Sequence, residues 1–215
     1  MKNNVTELVF IVDKSGSMAG LEKDTIGGFN SMLQKQKNEE GVCYISTVFF
    51  SELSEVIHNR INIKEVEPLT EKDYVAGGCT ALLDALGDAI KHITNVQKYA
   101  ASDQKADNVI FVIITDGEEN SSHKYSIREI KKMISMKQEK YGWEFIFLGA
   151  NIDAIQTASS YGIKQNRASN FCCDPIGVNL NFCCVSEAIS ECRADGEISS
   201  EWADEIKSDF KKRGK

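Results

Sequence analysis

The sequence lacks a long hydrophobic segment. Its longest uninterrupted apolar run, residues 109–114, is far shorter than the roughly 20 residues that a membrane-spanning helix needs. Near the N-terminus the apolar stretch is broken by Glu7 and ended by Asp13, a pattern that argues against a secretory signal peptide. We therefore expect a cytoplasmic protein that does not enter a membrane.

Positive charge is also scarce. The 215 residues contain 25 Lys and Arg against 32 Asp and Glu, which gives a net charge of −7. The only dense basic run is Lys211-Lys212-Arg213, which we interpret as a solvated tail. Neither a G-x-G-x-x-G motif after the first predicted strand nor a G-x-x-x-x-G-K-[ST] motif occurs. A broad nucleic-acid surface and a nucleotide-binding loop are therefore not expected.

The seven cysteines are an odd number, and without a secretion signal reduced thiols in packed positions are expected. The pairs Cys172-Cys173 and Cys183-Cys184 resemble a zinc site at first sight. However, Asp174-Pro175 has the pattern of a helix start, which would place the two pairs roughly 15 Å apart along a helix. That arrangement suits no tetrahedral zinc site, so zinc is the weaker interpretation.

Apolar runs rich in β-branched and aromatic residues alternate with amphipathic stretches. The runs predict strands at residues 5–12, 42–50, 56–63, 109–114, 145–148 and 168–171. Helical spacing of apolar residues predicts helices over 21–33, 82–93, 126–134, 151–161 and 174–193. This alternation predicts an α/β fold with a doubly wound, mostly parallel sheet and helices on both faces. The alternating pattern of 56–63 predicts an antiparallel edge strand.

The chain has one plausible boundary, at Arg193-Ala194-Asp195-Gly196. We predict a domain over residues 1–195, followed by an amphipathic helix and basic tail over 196–215. Trp202, Ile206 and Phe210 are spaced one helical turn apart in this segment. Packing of that apolar face on its own domain is the favoured interpretation, and a docking surface for a partner is the alternative.

Polar residues follow two of the predicted strands at the point where each strand ends. The stretch "VFIVDKSGSM" ends a strand at Asp13 and adds Ser15 and Ser17, and a second strand ends at Thr115-Asp116-Gly117. Because ligands of doubly wound sheets bind beyond the carboxyl ends of the strands, these side chains are expected to meet. Thr80, in the "GGCT" loop before a helix, is expected to join them.

The predicted cluster offers oxygen ligands alone. Two carboxylates and three hydroxyls suit a hard cation, with Mg²⁺ first and Mn²⁺ or Ca²⁺ as alternatives. Two carboxylates about 4 Å apart repel each other by roughly 4 kcal/mol at an effective dielectric constant of 20, which a cation would relieve. Taken alone, Asp13-x-Ser15-x-Ser17 fits a polar turn with helix-capping serines equally well. The metal interpretation depends on the combination with Thr80 and Asp116.

The motifs "DKSGSM", "GGCT" and "TDGEEN", in this order, resemble the von Willebrand factor type A (vWA) domain with its metal-ion-dependent adhesion site (MIDAS), in particular its stand-alone bacterial and phage members. The resemblance covers about residues 5–194 and implies a Rossmann-like six-stranded sheet with strand order 3-2-1-4-5-6. It also implies that the cation is held, in part through water, by Asp13, Ser15, Ser17, Thr80 and Asp116. In the family a partner's carboxylate completes the coordination, and the site binds rather than turns over a substrate. Because no secretion signal is found, cell adhesion does not carry over.

Around this site we predict a weaker partner-binding rim, formed by Gly16, Met18, Gly78, Gly117 and Glu118. Asp84, a helical turn after Thr80, is either a residue that orients a metal ligand or, more simply, a capping or solvent-facing carboxylate. His123 is expected at the surface.

The favoured function is a non-catalytic, Mg²⁺-dependent protein-binding module whose partner exposes an Asp or Glu. The first alternative is a Mg²⁺-dependent phosphoryl-transfer hydrolase that uses Asp13, although Ser15 stands where such enzymes typically have a second acid. The second alternative is an accessory subunit of an ATPase complex that docks through its C-terminal helix. A phosphatase screen with generic substrates tests the first alternative, and a pull-down with and without the last twenty residues tests the second.

Overall fold

Six strands pair into one sheet in the computed structural model, which describes residues 4–214. The strands are β1 (Val5–Asp13), β2 (Val42–Phe50), β3 (Ser54–Asn62), β4 (Asn108–Thr115), β5 (Glu144–Gly149) and β6 (Ala168–Asn170). Their order is β3-β2-β1-β4-β5-β6, and every neighbouring pair is parallel except β2 with β3. The predicted strand order and the antiparallel edge are thus confirmed.

Within residues 4–214, six α-helices cover both faces of this sheet. They are α1 (Glu22–Asn38), α2 (Leu82–Tyr99), α3 (Ile127–Tyr141), α4 (Ala154–Ser160), α5 (Pro175–Asp195) and α6 (Asp204–Arg213). Alternate residues of β1 enter two separate cores. Phe10 belongs to the core that contains residues of α1, α5 and α6, and Ile11 belongs to the core that contains residues of α2, α3 and α4. Because β1 and β4 are buried on both faces, their sequences are nearly continuous apolar runs. The predicted α/β class with helices on both faces is confirmed.

The edge strand β3 departs from the simple alternation that its sequence suggests. The pairing of β2 with β3 is irregular between Ile45 and Val48, and Arg60 has a positive φ of 51°. His58 is buried there, with its Nδ1 3.0 Å from the hydroxyl of Thr47. Ile63, predicted as the last residue of the strand, lies instead in a short 3₁₀ turn.

Two predicted helix starts are present. The Ser126 hydroxyl accepts a hydrogen bond from the N–H of Glu129, whose carboxylate accepts in return from the N–H of Ser126, and this reciprocal pair is a capping box. Asp174 accepts a hydrogen bond from the N–H of Gly177, and Pro175 is the first helical residue. Each carboxylate satisfies backbone donors that a helix end leaves unpaired.

The seven cysteines lie in varied surroundings. Cys43, Cys172, Cys184 and Cys192 are buried, as expected for small apolar residues. Cys79 and Cys183 are exposed, so the expectation of packed positions is wrong for these two.

The C-terminal segment packs on the rest of the domain. Helix α5 ends at Gly196, whose φ of 85° is the left-handed conformation that glycine adopts without strain. Trp202 and Ile206 are buried in the core that α1 and α5 share, and the Trp202 indole donates to the Asn166 carbonyl at 2.8 Å. Trp202 precedes helix α6 rather than lying within it. The apolar face of this segment therefore packs on its own domain, as the favoured interpretation expects.

A buried ion pair joins the edge strand to the sheet centre. Glu7, on β1, is fully buried, and its Oε2 accepts from Arg60 Nε at 2.9 Å and from Gln97 Nε2 at 3.0 Å. The Arg60 guanidinium also lies 4.1 Å from the ring centroid of Tyr44. Oε1 of Glu7 has no hydrogen-bond partner among the described residues. Burial raises the pKa of Glu7, and Arg60 opposes that rise.

Between residues 4 and 214, no helix combines the length and the apolar character that crossing a bilayer would require.

Candidate functional site

Two strand ends bring a pair of aspartates to the same edge of the sheet. The parallel neighbours β1 and β4 end at Asp13 and Thr115, and Asp116 follows directly. Asp13 is 0% exposed and Asp116 is 1% exposed. The carboxyl edge at a crossover of a doubly wound sheet is where such folds bind ligands. The sequence therefore places two buried acids at the position where the fold forms a crevice.

The loop after β1 links the two acids through its serines. Asp13 Oδ1 accepts from the N–H of Ser15 at 2.7 Å, and the hydroxyls of Ser15 and Ser17 lie 3.0 Å apart. Ser17 in turn donates to Asp116 Oδ1 at 2.7 Å. The loop is a short 3₁₀ turn over Gly16–Met18 rather than an extended segment, yet the two hydroxyls meet as expected.

Thr80 reaches the same place from the loop before α2. It is 4% exposed, and its N–H donates to Asn120 Oδ1 at 3.0 Å. A Cβ added at Gly117 would lie 3.6 Å from the Thr80 hydroxyl oxygen and 3.7 Å from that of Ser17. The two hydroxyls therefore flank Gly117, directly after Asp116. The structure thus brings all five predicted ligands to one edge.

The site carries negative charge without a cationic partner. No Lys, Arg or His within the described residues forms an ion pair with Asp13 or Asp116. Burial raises the pKa of Asp13, and the charge of Asp116 adds to that rise, while a hydrogen bond from the Thr115 hydroxyl at 2.6 Å opposes it. A cation at this edge would offset both the burial of the Asp13 carboxylate and its repulsion by Asp116.

The donor set fits a hard divalent ion. All five side chains offer oxygen, which Mg²⁺ and Ca²⁺ prefer. Within residues 4–214 no group of three or more His, Cys, Asp or Glu side chains is placed to hold a metal. Any ion at this edge would therefore depend on the hydroxyls of Ser15, Ser17 and Thr80 as well as on the two carboxylates.

A second loop, over residues 74–78, braces the loop after β1 through hydrogen bonds. Tyr74 is buried, and its hydroxyl donates a short hydrogen bond to the carbonyl of Asp13. Gly77 donates its N–H to the carbonyl of Lys14 at 2.8 Å, and the carbonyl of Gly78 accepts from Gly16 at 3.0 Å. Gly78 has a φ of 84°, a conformation that few other residues adopt without strain. Sequence reasoning missed Tyr74, because a single aromatic in a polar loop carries no periodic signal.

Replacing Tyr74 with phenylalanine is expected to lower the free energy of unfolding by about 1–3 kcal/mol, because the buried carbonyl of Asp13 loses its hydrogen-bond donor. Urea unfolding followed by circular dichroism measures this difference. Tyr99→Phe, at an exposed tyrosine remote from the site, is the matched control and is expected to have no effect. Equal stability of both variants would contradict a bracing role for the Tyr74 hydroxyl.

Two further acids hold the loop after β4 rather than the site itself. Asp84 accepts hydrogen bonds from the N–H groups of His123, Lys124 and Tyr125. Glu119 accepts from the N–H of Leu83, at the start of α2. Asp84 is thus a backbone-binding carboxylate, as the simpler interpretation expected. The side chain of His123 is exposed, also as expected.

The predicted rim is only partly at the surface. Gly16, Gly78 and Glu118 are exposed and Gly117 is half-buried. Met18 is 1% exposed and belongs to the core beneath the loop, so its prediction as a rim residue is wrong. The physical reason is the 3₁₀ turn, which directs the apolar side chain inward.

One neighbour of the site was not predicted. Cys173 Sγ lies 3.7 Å from Asp116 Oδ2 and donates to it. Burial, together with the negative charge of Asp116, raises the pKa of the Cys173 thiol to about 11. The position of Cys173 shortly after β6, at the same carboxyl edge of the sheet, is a sequence feature that could have predicted this contact. The pattern of adjacent cysteines instead suggests a zinc site.

Comparisons with known proteins identify the fold. No protein-family model matches the sequence, and no curated protein sequence matches it. A mutant of the PilB minor pilin from Streptococcus sanguinis is similar in structure, with a TM-score of 0.61 and 13% identity over 86% of this chain. A von Willebrand factor type A protein from Catenulispora acidiphila aligns with a TM-score of 0.57 and 14% identity over 85% of this chain. Proximal thread matrix protein 1 from the mussel byssus aligns with a TM-score of 0.56 and 14% identity over 86%.

The chain spans 61%, 42% and 46% of the lengths of these three proteins, respectively. At such identities the similarity concerns the fold alone. The chain therefore has an α/β fold similar to that of a von Willebrand factor type A domain.

Proposed function

We propose that this protein is a non-catalytic binding module with a MIDAS at the carboxyl edge of its sheet. The observation that carries the proposal is the hydrogen-bonded path from Asp13 through Ser15 and Ser17 to Asp116, which holds two buried acids together with no cationic side chain among the described residues. The vWA-like fold supports it, because the resemblance assigns the same edge to partner binding.

The proposed ion is Mg²⁺, with Mn²⁺ or Ca²⁺ as alternatives. Its protein ligands would be the oxygens of Asp13, Ser15, Ser17, Thr80 and Asp116, in part through water. Bound there, the ion would supply a concentrated positive charge that attracts an anionic group. Five protein ligands leave one position of a six-coordinate ion open, and an exposed Asp or Glu of a partner protein would supply the carboxylate that fills it. Thr115 and Tyr74 would keep Asp13 in place while the partner binds.

We propose binding rather than turnover. Both carboxylate oxygens of Asp13 accept hydrogen bonds, from the Ser15 N–H and the Thr115 hydroxyl, which lowers their nucleophilicity. The residue two positions on is Ser15, which cannot act as the second acid of a phosphoryl-transfer enzyme. A hydrolase screen with generic phosphate esters and Mg²⁺ is expected to show no turnover above the Asp13→Asn variant. Turnover that this variant abolishes would favour the hydrolase alternative.

An accessory role in an ATPase complex is compatible with the same metal-dependent edge. Docking through the apolar face of the C-terminal segment has no support, because Trp202 and Ile206 already pack into the core. The cytoplasmic location stays a prediction, since proteins of similar fold include a pilin and a byssus protein.

The experiment that tests the proposed function is affinity capture from the native host at equal ionic strength in millimolar Mg²⁺ and in EDTA. A partner protein is expected to bind in Mg²⁺ and to be released by EDTA. Asp13→Asn is expected to abolish capture, whereas Asp103→Asn, which removes an exposed acid outside the site, is expected to preserve it. Capture that persists in EDTA, or that survives Asp13→Asn, would contradict the proposal.

A further inference from the structure

A second cavity lies at the opposite edge of the sheet, where β4 begins. It has a volume of about 440 Å³ and is lined by the C-terminal ends of α2 and α3 together with the segment that leads into β4. Its charged and aromatic lining residues are Lys98, Lys105, Asp107, Lys137, Tyr141 and Trp143. Small-molecule sites commonly have volumes of about 300–1,000 Å³ with a few polar groups among apolar walls, and this cavity falls in that range.

Lys137 is the unusual member of this cavity. It is 4% exposed, and its ammonium forms neither a hydrogen bond nor an ion pair with any residue of the described chain. Its Nζ lies 4.7 Å from the ring centroid of Tyr141 and 4.8 Å from that of Trp143. Burial lowers the pKa of Lys137, as expected for an ammonium with incomplete solvation. The low exposure belongs to the aliphatic stem, and the ammonium, which is not among the fully buried atoms that lack a hydrogen-bond partner, opens on the cavity.

Two further lysines add positive charge to the cavity wall. Lys98 and Lys105 are exposed at the rim, and among residues 4–214 Asp107 is the only carboxylate that lines the cavity. Oδ2 of Asp107 accepts from the N–H of Val5 at 3.2 Å. The described part of the lining thus has three lysines and one aspartate, in a protein whose net charge is −7.

We propose that this cavity binds the phosphate group of a small phosphorylated molecule, with the Lys137 ammonium as its central contact. A phosphate monoester carries about −1.5 to −2 charges at neutral pH, which matches the excess on the cavity wall better than a single carboxylate would. Charge-assisted hydrogen bonds from an ammonium to phosphate oxygens are stronger than those between neutral groups. They would give Lys137 the hydrogen-bond partner that it lacks among the described residues, beside the two aromatic rings that it already contacts. The site is distinct from the metal edge and does not depend on the proposed function.

The test uses the tryptophan beside Lys137 as its reporter. The full chain is titrated in EDTA, so that no metal-bound phosphate contributes, with inorganic phosphate and with phenyl phosphate at constant ionic strength, and tryptophan fluorescence is recorded. A saturable change is expected with either probe, and Trp143→Phe is expected to remove it. A change that chloride reproduces would overturn the proposal.

Matched variants locate the contact. Lys137→Met, which keeps the length of the side chain, is expected to weaken binding about tenfold or more. Lys132→Met removes an exposed charge from the same helix and is expected to alter the affinity by less than about twofold. Lys98→Met, at the exposed rim where folding is not at risk, is expected to weaken binding about threefold. Unchanged affinity in Lys137→Met, or no saturable change in the unaltered protein, would overturn the proposal.

Discussion

Replacing Arg60 with methionine is expected to lower the free energy of unfolding by about 3–5 kcal/mol at neutral pH. Glu7 lies at the centre of the sheet with no exposed surface, and the Arg60 guanidinium is the only cationic group that pairs with it among the described residues. Methionine keeps an unbranched apolar side chain but removes the guanidinium, so the contact with the Tyr44 ring is lost and the Glu7 carboxylate is left buried and unpaired. Gln97 then remains as its hydrogen-bond donor.

The loss is expected to depend on pH. Burial raises the pKa of Glu7 in the folded protein, and removal of Arg60 raises it further. The folded state then binds a proton more tightly than the unfolded state does, so stability falls as pH rises from the unfolded pKa through the folded one. Arg60→Met should therefore be only mildly destabilised near pH 4, where Glu7 is protonated, and strongly destabilised at pH 7.5.

Urea unfolding at these two pH values measures both effects. Arg128→Met, which removes an exposed arginine, is the matched control and is expected to change stability by less than about 0.5 kcal/mol. The double variant Glu7→Gln/Arg60→Met is expected to recover part of the loss and to lose the pH dependence. A pH-independent loss below about 1 kcal/mol in Arg60→Met would show that the ion pair does not stabilise the fold.

Replacing Asp13 with asparagine is expected to abolish stabilisation by Mg²⁺. For the unaltered protein, a ligand at 100 times its Kd adds about 2.7 kcal/mol to the free energy of unfolding. For a chain of this length each kcal/mol shifts the melting temperature by about 2–4 °C, so saturating Mg²⁺ should raise it by roughly 5–10 °C. Asparagine keeps the shape of the side chain but removes one of the two carboxylates, and the rise should vanish.

The same substitution should leave the metal-free protein folded. Asparagine can still accept from the Ser15 N–H, and the Thr115 hydroxyl can donate instead to the Gly117 carbonyl, 3.3 Å away. Loss of the repulsion from Asp116 compensates for the lost hydrogen bond. The free energy of unfolding in EDTA should therefore be within about 1 kcal/mol of that of the unaltered protein. Asp103→Asn, outside the site, should retain the full Mg²⁺ response. A Mg²⁺ response that persists in Asp13→Asn would mean that the ion binds elsewhere.

Much of the site could be predicted because it depends on local patterns. Buried parallel strands read as apolar runs, and a charge directly after such a run marks the strand end, as at Asp13 and Asp116. Since carboxyl ends of parallel strands share one edge, convergence follows from topology without any knowledge of side-chain contacts. The helix caps at Ser126 and Asp174 are equally local and were predicted for the same reason.

The features that sequence reasoning missed depend on contacts between distant segments. The pairing of Glu7 with Arg60 requires the irregular register of β2 with β3 and the positive φ of Arg60, neither of which leaves a periodic signal. Tyr74 reaches Asp13 from a loop whose conformation the sequence does not specify. Met18 is predicted at the rim, whereas the 3₁₀ turn directs its side chain into the core.

The central claim is that oxygen-bearing side chains from three separate segments hold one divalent ion. Anomalous diffraction from crystals soaked in millimolar Mn²⁺ tests it most directly, because Mn²⁺ suits the same oxygen ligands and scatters anomalously. The account predicts a single strong peak between Ser15, Ser17 and Asp116, absent from crystals of Asp13→Asn. A peak elsewhere, or none at saturating Mn²⁺, would contradict it.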